Sequence, residues 1–447
     1  MPGTRLTYRQ IFTFSLPLAG TWLMMAFEGP YLAAIIARLA DPTENLAAFG
    51  VAFALAVIIE APVIMLMAAS TTLVADDASY RALRRFMLGL SLLLTLVQLV
   101  AVLPPVFNWV AGSLIGLPPA VAQLAHHGLI IMLPWPLAIG YRRFLQGLLI
   151  RHNLTRRVAY GTVLRLVTMS AVAFFGAQMP GLTGVHVGTL ALSVGVVVEA
   201  VASRWMTREV VARITSGPPS PMPTTQTLAG VSSFYLPLAL TSVMTMAIQP
   251  AVTFFMGQAR YPLESLAVLP VIHGLTFLFR ALGLSFQEVG IAMFGDRWEH
   301  YQPIRNFGYG LGAAAAFGLI VIAYTPLATV WFEQIAGLTP ELAAFAVRPT
   351  QILAWLPACS VWMAFQRATL VHARHTRAIT WASLVELAVV VVVLTATIVG
   401  LSWVGAVAAA AAILAGRVAG NVWLIVPARR ASRSGQLPAA SPVPAPG

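Results

Sequence analysis

The chain has 447 residues, 59% of them hydrophobic and 9% charged, with 27 basic against 15 acidic side chains and a formal net charge of +12. Soluble globular domains carry roughly 25% charged residues, so a water-soluble fold is excluded. Every basic residue is Arg, which also excludes the lysine-bearing phosphate loop of ATP-driven machines.

A bilayer core about 30 Å thick takes about 20 helical residues to cross. Apolar runs of that length predict about twelve spans, near 10–37, 46–75, 86–110, 121–150, 158–178 and 185–205, then 229–258, 265–294, 306–331, 342–371, 379–400 and 403–427. No small-residue cleavage pattern follows the first run, which therefore reads as a retained helix rather than a signal peptide. The proline-rich stretch 214–227 cannot form one continuous helix and separates a bundle at 1–213 from a second at 228–431. Residues 432–447 end in a low-complexity Ala/Pro tail expected to be disordered. The fold class is an all-α polytopic membrane protein.

The two bundles are copies. Phe14-Ser15-Leu16-Pro17-Leu18 returns 220 positions later as Phe234-Tyr235-Leu236-Pro237-Leu238, and Pro30, Pro42 and Glu44 return as Pro250, Pro262 and Glu264. Trp135, Gln146 and Arg157 repeat at Trp355, Gln366 and Arg377. Six spans per copy set the repeats parallel, related by an axis along the membrane normal, so equivalent residues lie at equal depth. Pro17, Pro30, Pro237 and Pro250 are candidate hinges, because each removes a helical hydrogen bond.

The arginines explain the net charge without a nucleic-acid partner. Arg5, Arg9, Arg81, Arg84, Arg85, Arg156, Arg157, Arg204, Arg208, Arg213, Arg377, Arg429 and Arg430 fall in the termini or alternate loops, whereas Asp41, Glu44, Glu333 and Glu341 mark the others. The positive-inside rule then places both termini in the cytoplasm, and a bacterial inner membrane is the expected location. The single cysteine, Cys359, permits neither an intramolecular disulfide nor a thiol metal cluster, and the histidines show no ligand spacing, so no metal and no cofactor is expected. Nor is there a convergent nucleophile and base, so the chain is not read as an enzyme.

Ionisable groups inside spans cost at least about 2.5–3.5 kcal/mol and so mark function or pairing. Glu28, beside Pro30, is the candidate coupling carboxylate for a proton or sodium ion. Glu60 and Arg280, equivalent under the repeat, are candidates for the cleft, paired with each other or within their own halves; Glu288 and Gln249 join them. Arg165, Glu386, Glu199 and Arg417 are expected either to line an inner vestibule or to tie helices together. Arg142 and Arg143 are expected to snorkel to the interface.

Two sets of six helices resemble the multidrug and toxic compound extrusion (MATE) architecture and its MOP superfamily. Phe27-Glu28, the run Leu46-Ala47-Ala48-Phe49-Gly50-Val51-Ala52-Phe53-Ala54-Leu55, Gly147-Leu148-Leu149-Ile150-Arg151-His152 and Pro237-Leu238-Ala239-Leu240 resemble the progressive ankylosis (ANK) family. That resemblance implies a secondary exporter of small anions such as pyrophosphate, nucleotide or citrate. The family's basic residues before the seventh-helix proline are replaced here by Ala247-Ile248-Gln249. Two alternatives stand beside it: cation-coupled efflux of drugs or toxic organic cations, and flipping of a lipid-linked precursor. The expected partners are membrane lipid, a small-molecule substrate and a coupling cation, with the chain acting as a monomer.

Overall fold

The computed structural model describes residues 6–152, 154–217, 227–295, 298–373, 375 and 377–436. Among them, eleven helices are long and apolar enough to cross a membrane, and a bent helix pair makes a twelfth span. In chain order the spans are α1 (Tyr8–Ile36), α2 (Pro42–Leu73), α3 (Asp77–Ala101), α4 (Pro119–Ile131 with Trp135–Arg151), α5 (Thr155–Gly176) and α6 (Gly184–Ser216). The second half holds α7 (Leu228–Gly257), α8 (Pro262–Met293), α9 (Tyr301–Tyr324), α10 (Pro340–His372), α11 (Arg377–Gly400) and α12 (Gly405–Arg433).

Prolines set most interruptions. Both α1 and α7 break, at Phe27 and Ala247, three residues before Pro30 and Pro250; a proline leaves the carbonyl four residues earlier without its helical donor and crowds it. A short 3₁₀ turn at Ala61–Val63 carries Pro62 and interrupts α2 directly after Glu60. The two parts of α4 meet at 41° around Pro134 and Pro136. Pro237 lies inside the first part of α7, whereas the side chain of Pro17 is outside the described residues.

Two spans are displaced from the sequence expectation. The third starts at Asp77 rather than near 86, because Asp76 and Ser79 form a reciprocal cap there, and ends before Pro104; residues Trp109–Ile115 form a separate π-helical turn. The ninth ends at Tyr324 ahead of Pro326, with a second π-helical turn at Val330–Ile335. Apolarity continued through both segments although the helix did not. Helical structure also reaches Ser216 and Gln436, taking in the first residues of the expected linker and tail; 218–226 and 437–447 lie outside the described residues.

The repeat extends to fine detail. Asp41 and Tyr261, at equivalent helix starts, both adopt positive φ, 51° and 53°. Asn45 Oδ1 accepts from the Val185 amide at the start of α6, and Ser265 Oγ accepts from the Ala406 amide at the start of α12. In these last helices the offset has grown by one residue.

The halves meet along α2 and α8. A Cβ on Gly50 would lie 3.1 Å from Pro270 Cγ, and these two positions are equivalent under the repeat, so they stand on the pseudo-twofold axis. The first helix of each half also reaches across. Tyr235 donates to the carbonyl of Pro62, Ser242 Oγ to that of Ala61 at 2.7 Å, and Trp22 Nε1 to Glu288 Oε1 at 3.2 Å.

Candidate functional site

Two buried polar clusters stand out, one in each half. In the first, Glu199 of α6 is fully buried and is approached by three side chains. Arg142 Nη1 lies 2.5 Å from its Oε2, Arg165 Nε lies 3.2 Å from the same oxygen, and Gln146 Nε2 donates to Oε1 at 3.0 Å. Arg165 also forms an ion pair with Glu28 of α1. The break at Phe27 starts a new helical segment at Glu28, which turns this carboxylate toward α5. Glu60 and Arg143 sit in the same electrostatic neighbourhood. Three carboxylates therefore face three guanidiniums, and in this cluster acidic and basic side chains are equal in number.

The second cluster has the opposite balance. Arg417 of α12 is 3.0 Å from Glu386 of α11, and its other nitrogen approaches Met363 Sδ. Arg280, Arg367 and Arg417 line one small cavity with Gln287, Ser360 and Met363, about 30 Å³ in volume, room on the scale of a water molecule. Among the described residues, neither Arg280 nor Arg367 has a carboxylate within ion-pair distance. The buried Nε atoms of all three arginines and Ser360 Oγ have no hydrogen-bond partner. One carboxylate faces three guanidiniums in surroundings where uncompensated charge is costly.

A third set of contacts closes the loop face opposite the termini. Arg38, at the end of α1, donates to the carbonyls of Gln334 and Ile335 in the other half, at 2.6 and 2.8 Å. Its equivalent in the repeat, Gln258, donates to Leu114 at 2.9 Å. Gly257 packs so tightly on the Ile115 carbonyl that a Cβ would fall 2.0 Å from that oxygen. Each half thus holds the π-helical turn of the other.

No protein-family model matches the chain, and no curated protein matches it either. Solved structures do. An inward-facing multidrug resistance MATE transporter of the MOP superfamily superposes with a TM-score of 0.73 at 15% identity, covering 93% of this chain and 95% of its own. The lipid II flippase MurJ, in an inward closed conformation, gives 0.70 at 12% identity over 94% and 89%. A MOP superfamily transporter from Pyrococcus furiosus gives 0.67 at 14% identity over 96% of each chain. The fold is that of the MATE transporters.

Within this MATE fold the expected residues separate into three groups. Glu28, Arg165 and Glu199 come together with Arg142 in one network, which corrects one expectation: Arg142 does not snorkel but is buried against Glu199. Arg280, Arg417 and Glu386 gather in the other half, joined by Arg367, to which the sequence reading gave no role. Glu60 and Arg280 are not paired; each sits in the field of its own half, and Glu60 Oε2 is left without a hydrogen-bond partner. Glu288 accepts from Trp22 Nε1 across the two halves. Gln249 is half-buried in α7 beyond the break at Ala247. No group of three His, Cys, Asp or Glu able to hold a metal occurs among the described residues. Arg38 and Gln258 were also missed; their equivalence under the 220-residue offset was the signal that could have found them.

Proposed function

We propose that the chain is a secondary active exporter of small anions, such as pyrophosphate, nucleotide or citrate, working by alternating access between its two halves. The observation that carries this reading is the cavity at Arg280, Arg367 and Arg417. Guanidiniums offer planar, paired donors suited to phosphate and carboxylate oxygens, and here two of the three lack a carboxylate. An incoming anion supplies the missing charge. The cavity is small in this conformation, so the substrate enters only when the halves have moved apart.

The Pyrococcus furiosus relative is described as having a binding pocket of reversed polarity that suggests a different function. In the present chain the polarity differs between the halves, which supports a division of labour: substrate in the second half, coupling in the first. Glu28 is the proposed coupling carboxylate, with Arg165 as its partner while it is unprotonated. The arginine-rich face is assigned to the cytoplasm, so the latch of Arg38 and Gln258 closes the outer side.

Counterflow in proteoliposomes, with labelled citrate, pyrophosphate, nucleotide and a cationic dye as separate probes, tests the proposal. At least one anion should exchange, and Arg280→Gln and Arg367→Gln should each raise its KM. Exchange of the dye alone, insensitive to both substitutions, would overturn the anion reading.

A further inference from the structure

A separate cavity of about 230 Å³ lies on the outside of the first half, between α5 and α6 near the face that carries the termini, lined by Arg157, Tyr160, Trp205, Met206, Arg208 and Glu209. Tyr160 is five residues into α5, about 8 Å from its start at 1.5 Å per residue. Both aromatic rings point away from the protein, Tyr160 64% and Trp205 66% exposed, as residues of a membrane-interface belt do. Arg208 lies over the Trp205 ring, 5.4 Å from its centroid. Arg157 is fixed by the Met206 carbonyl at 2.6 Å and by Glu209 at 3.3 Å. Arg156 and Arg204, both exposed, add positive charge that the single Glu209 does not balance.

The surface continuing from this cavity into the membrane is apolar. Val163 and Val167 on α5 and Val201 on α6 are 44%, 62% and 66% exposed, and they succeed the two aromatics at helical spacing. A charged mouth with aromatic walls leads into an aliphatic seam.

We propose that this cavity seats the headgroup of an anionic phospholipid, with its phosphate at Arg208 and Arg157 and its acyl chains along the seam of α5 and α6. Basic pockets between spans at a membrane interface are suited to such headgroups. The second half supplies an internal control. There, at the 221-residue offset of these helices, Arg429 repeats Arg208 and Trp381 repeats Tyr160, but Ala378 and Val426 replace Arg157 and Trp205. The second half keeps one arginine and one aromatic, and lacks both the tryptophan beneath that arginine and the second guanidinium.

The test uses the full-length protein purified from bilayers of equal parts phosphatidylglycerol and phosphatidylcholine with identical chains, with retained lipid counted by native mass spectrometry. Wild type should retain phosphatidylglycerol preferentially. Arg208→Gln should cut that preference about fivefold, the contribution of one arginine near an anionic surface, and Trp205→Ala should abolish it while Trp205→Phe keeps it. Arg429→Gln should leave it intact. A thermal melt of each variant confirms folding. Equal retention of both lipids, or a loss in Arg429→Gln matching that in Arg208→Gln, would overturn the proposal, as would displacement of the lipid by soluble glycerol phosphate.

Discussion

Arg165 and Glu386 hold the same place in opposite halves with opposite charge. Each ties its helix to the last helix of its own half, Arg165 to Glu199 and Glu386 to Arg417, at 3.2 and 3.0 Å. The bridge has been kept while its polarity was reversed. In the first half the reversal leaves a guanidinium on α5 free to reach Glu28; in the second it places one on α12, beside Arg280 and Arg367.

Glu199 is shared by two arginines, and its loss leaves Arg142 without a carboxylate and Arg165 with Glu28 alone. Glu199→Gln should destabilise the fold by about 3–5 kcal/mol, the usual cost of breaking a buried pair. Glu28→Gln should cost clearly less, because Arg165 keeps Glu199. Thermal unfolding in detergent compares the two, and equal losses would refute the hierarchy.

The outer latch should be asymmetric in strength. A hydrogen bond from a charged donor contributes about 1.5–3 kcal/mol and one between neutral groups about 0.5–1.5 kcal/mol. Hydrogen exchange at Val330–Ile335 should therefore accelerate about tenfold or more in Arg38→Ala, and exchange at Trp109–Ile115 less in Gln258→Ala. Unchanged exchange in both variants would mean that backbone packing alone holds this face closed.

Topology is open to labelling. In a Cys359→Ser background, cysteines at Ser216 and Thr43 should react from opposite sides of the membrane with an impermeant maleimide. Reaction of both from outside would overturn the assignment of the arginine-rich face to the cytoplasm.

Coupling through Glu28 predicts that Glu28→Gln exchanges substrate but does not accumulate it against a gradient, because the amide neither releases a proton nor holds a cation by charge. Uphill transport by this variant with unaltered ion dependence removes Glu28 from the coupling step and directs attention to Glu60, another buried acid of the same half.

Most of the fold was legible because crossing a bilayer requires long apolar runs, and duplication wrote the pattern twice. Span ends were less legible where apolarity outlasted the helix, as at Pro104 and Pro326. The ion pairs were the hardest to read. The 220-residue offset finds equivalent places, and residues related by a twofold axis touch only on that axis. Gly50 and Pro270 do; Glu60 and Arg280, displaced from it, face their own halves instead. Glu28 and Arg165 are 137 positions apart, and only the packing of α1 on α5 brings them together. Arg367 had no acidic or basic counterpart to draw attention to it, since the 220-residue offset pairs it with Gly147 and the packing with Gln146.

The contact of Gly50 with Pro270 bears on how such a molecule arose. A symmetric pair of identical subunits would place the same residue on both sides of the axis. Two glycines would leave a gap, and two proline rings would compete for one space. The fit of a ring into the notch left by a missing side chain is available only to unlike partners, so joining two copies in one chain permitted a close bearing surface that a homodimer of either half cannot form.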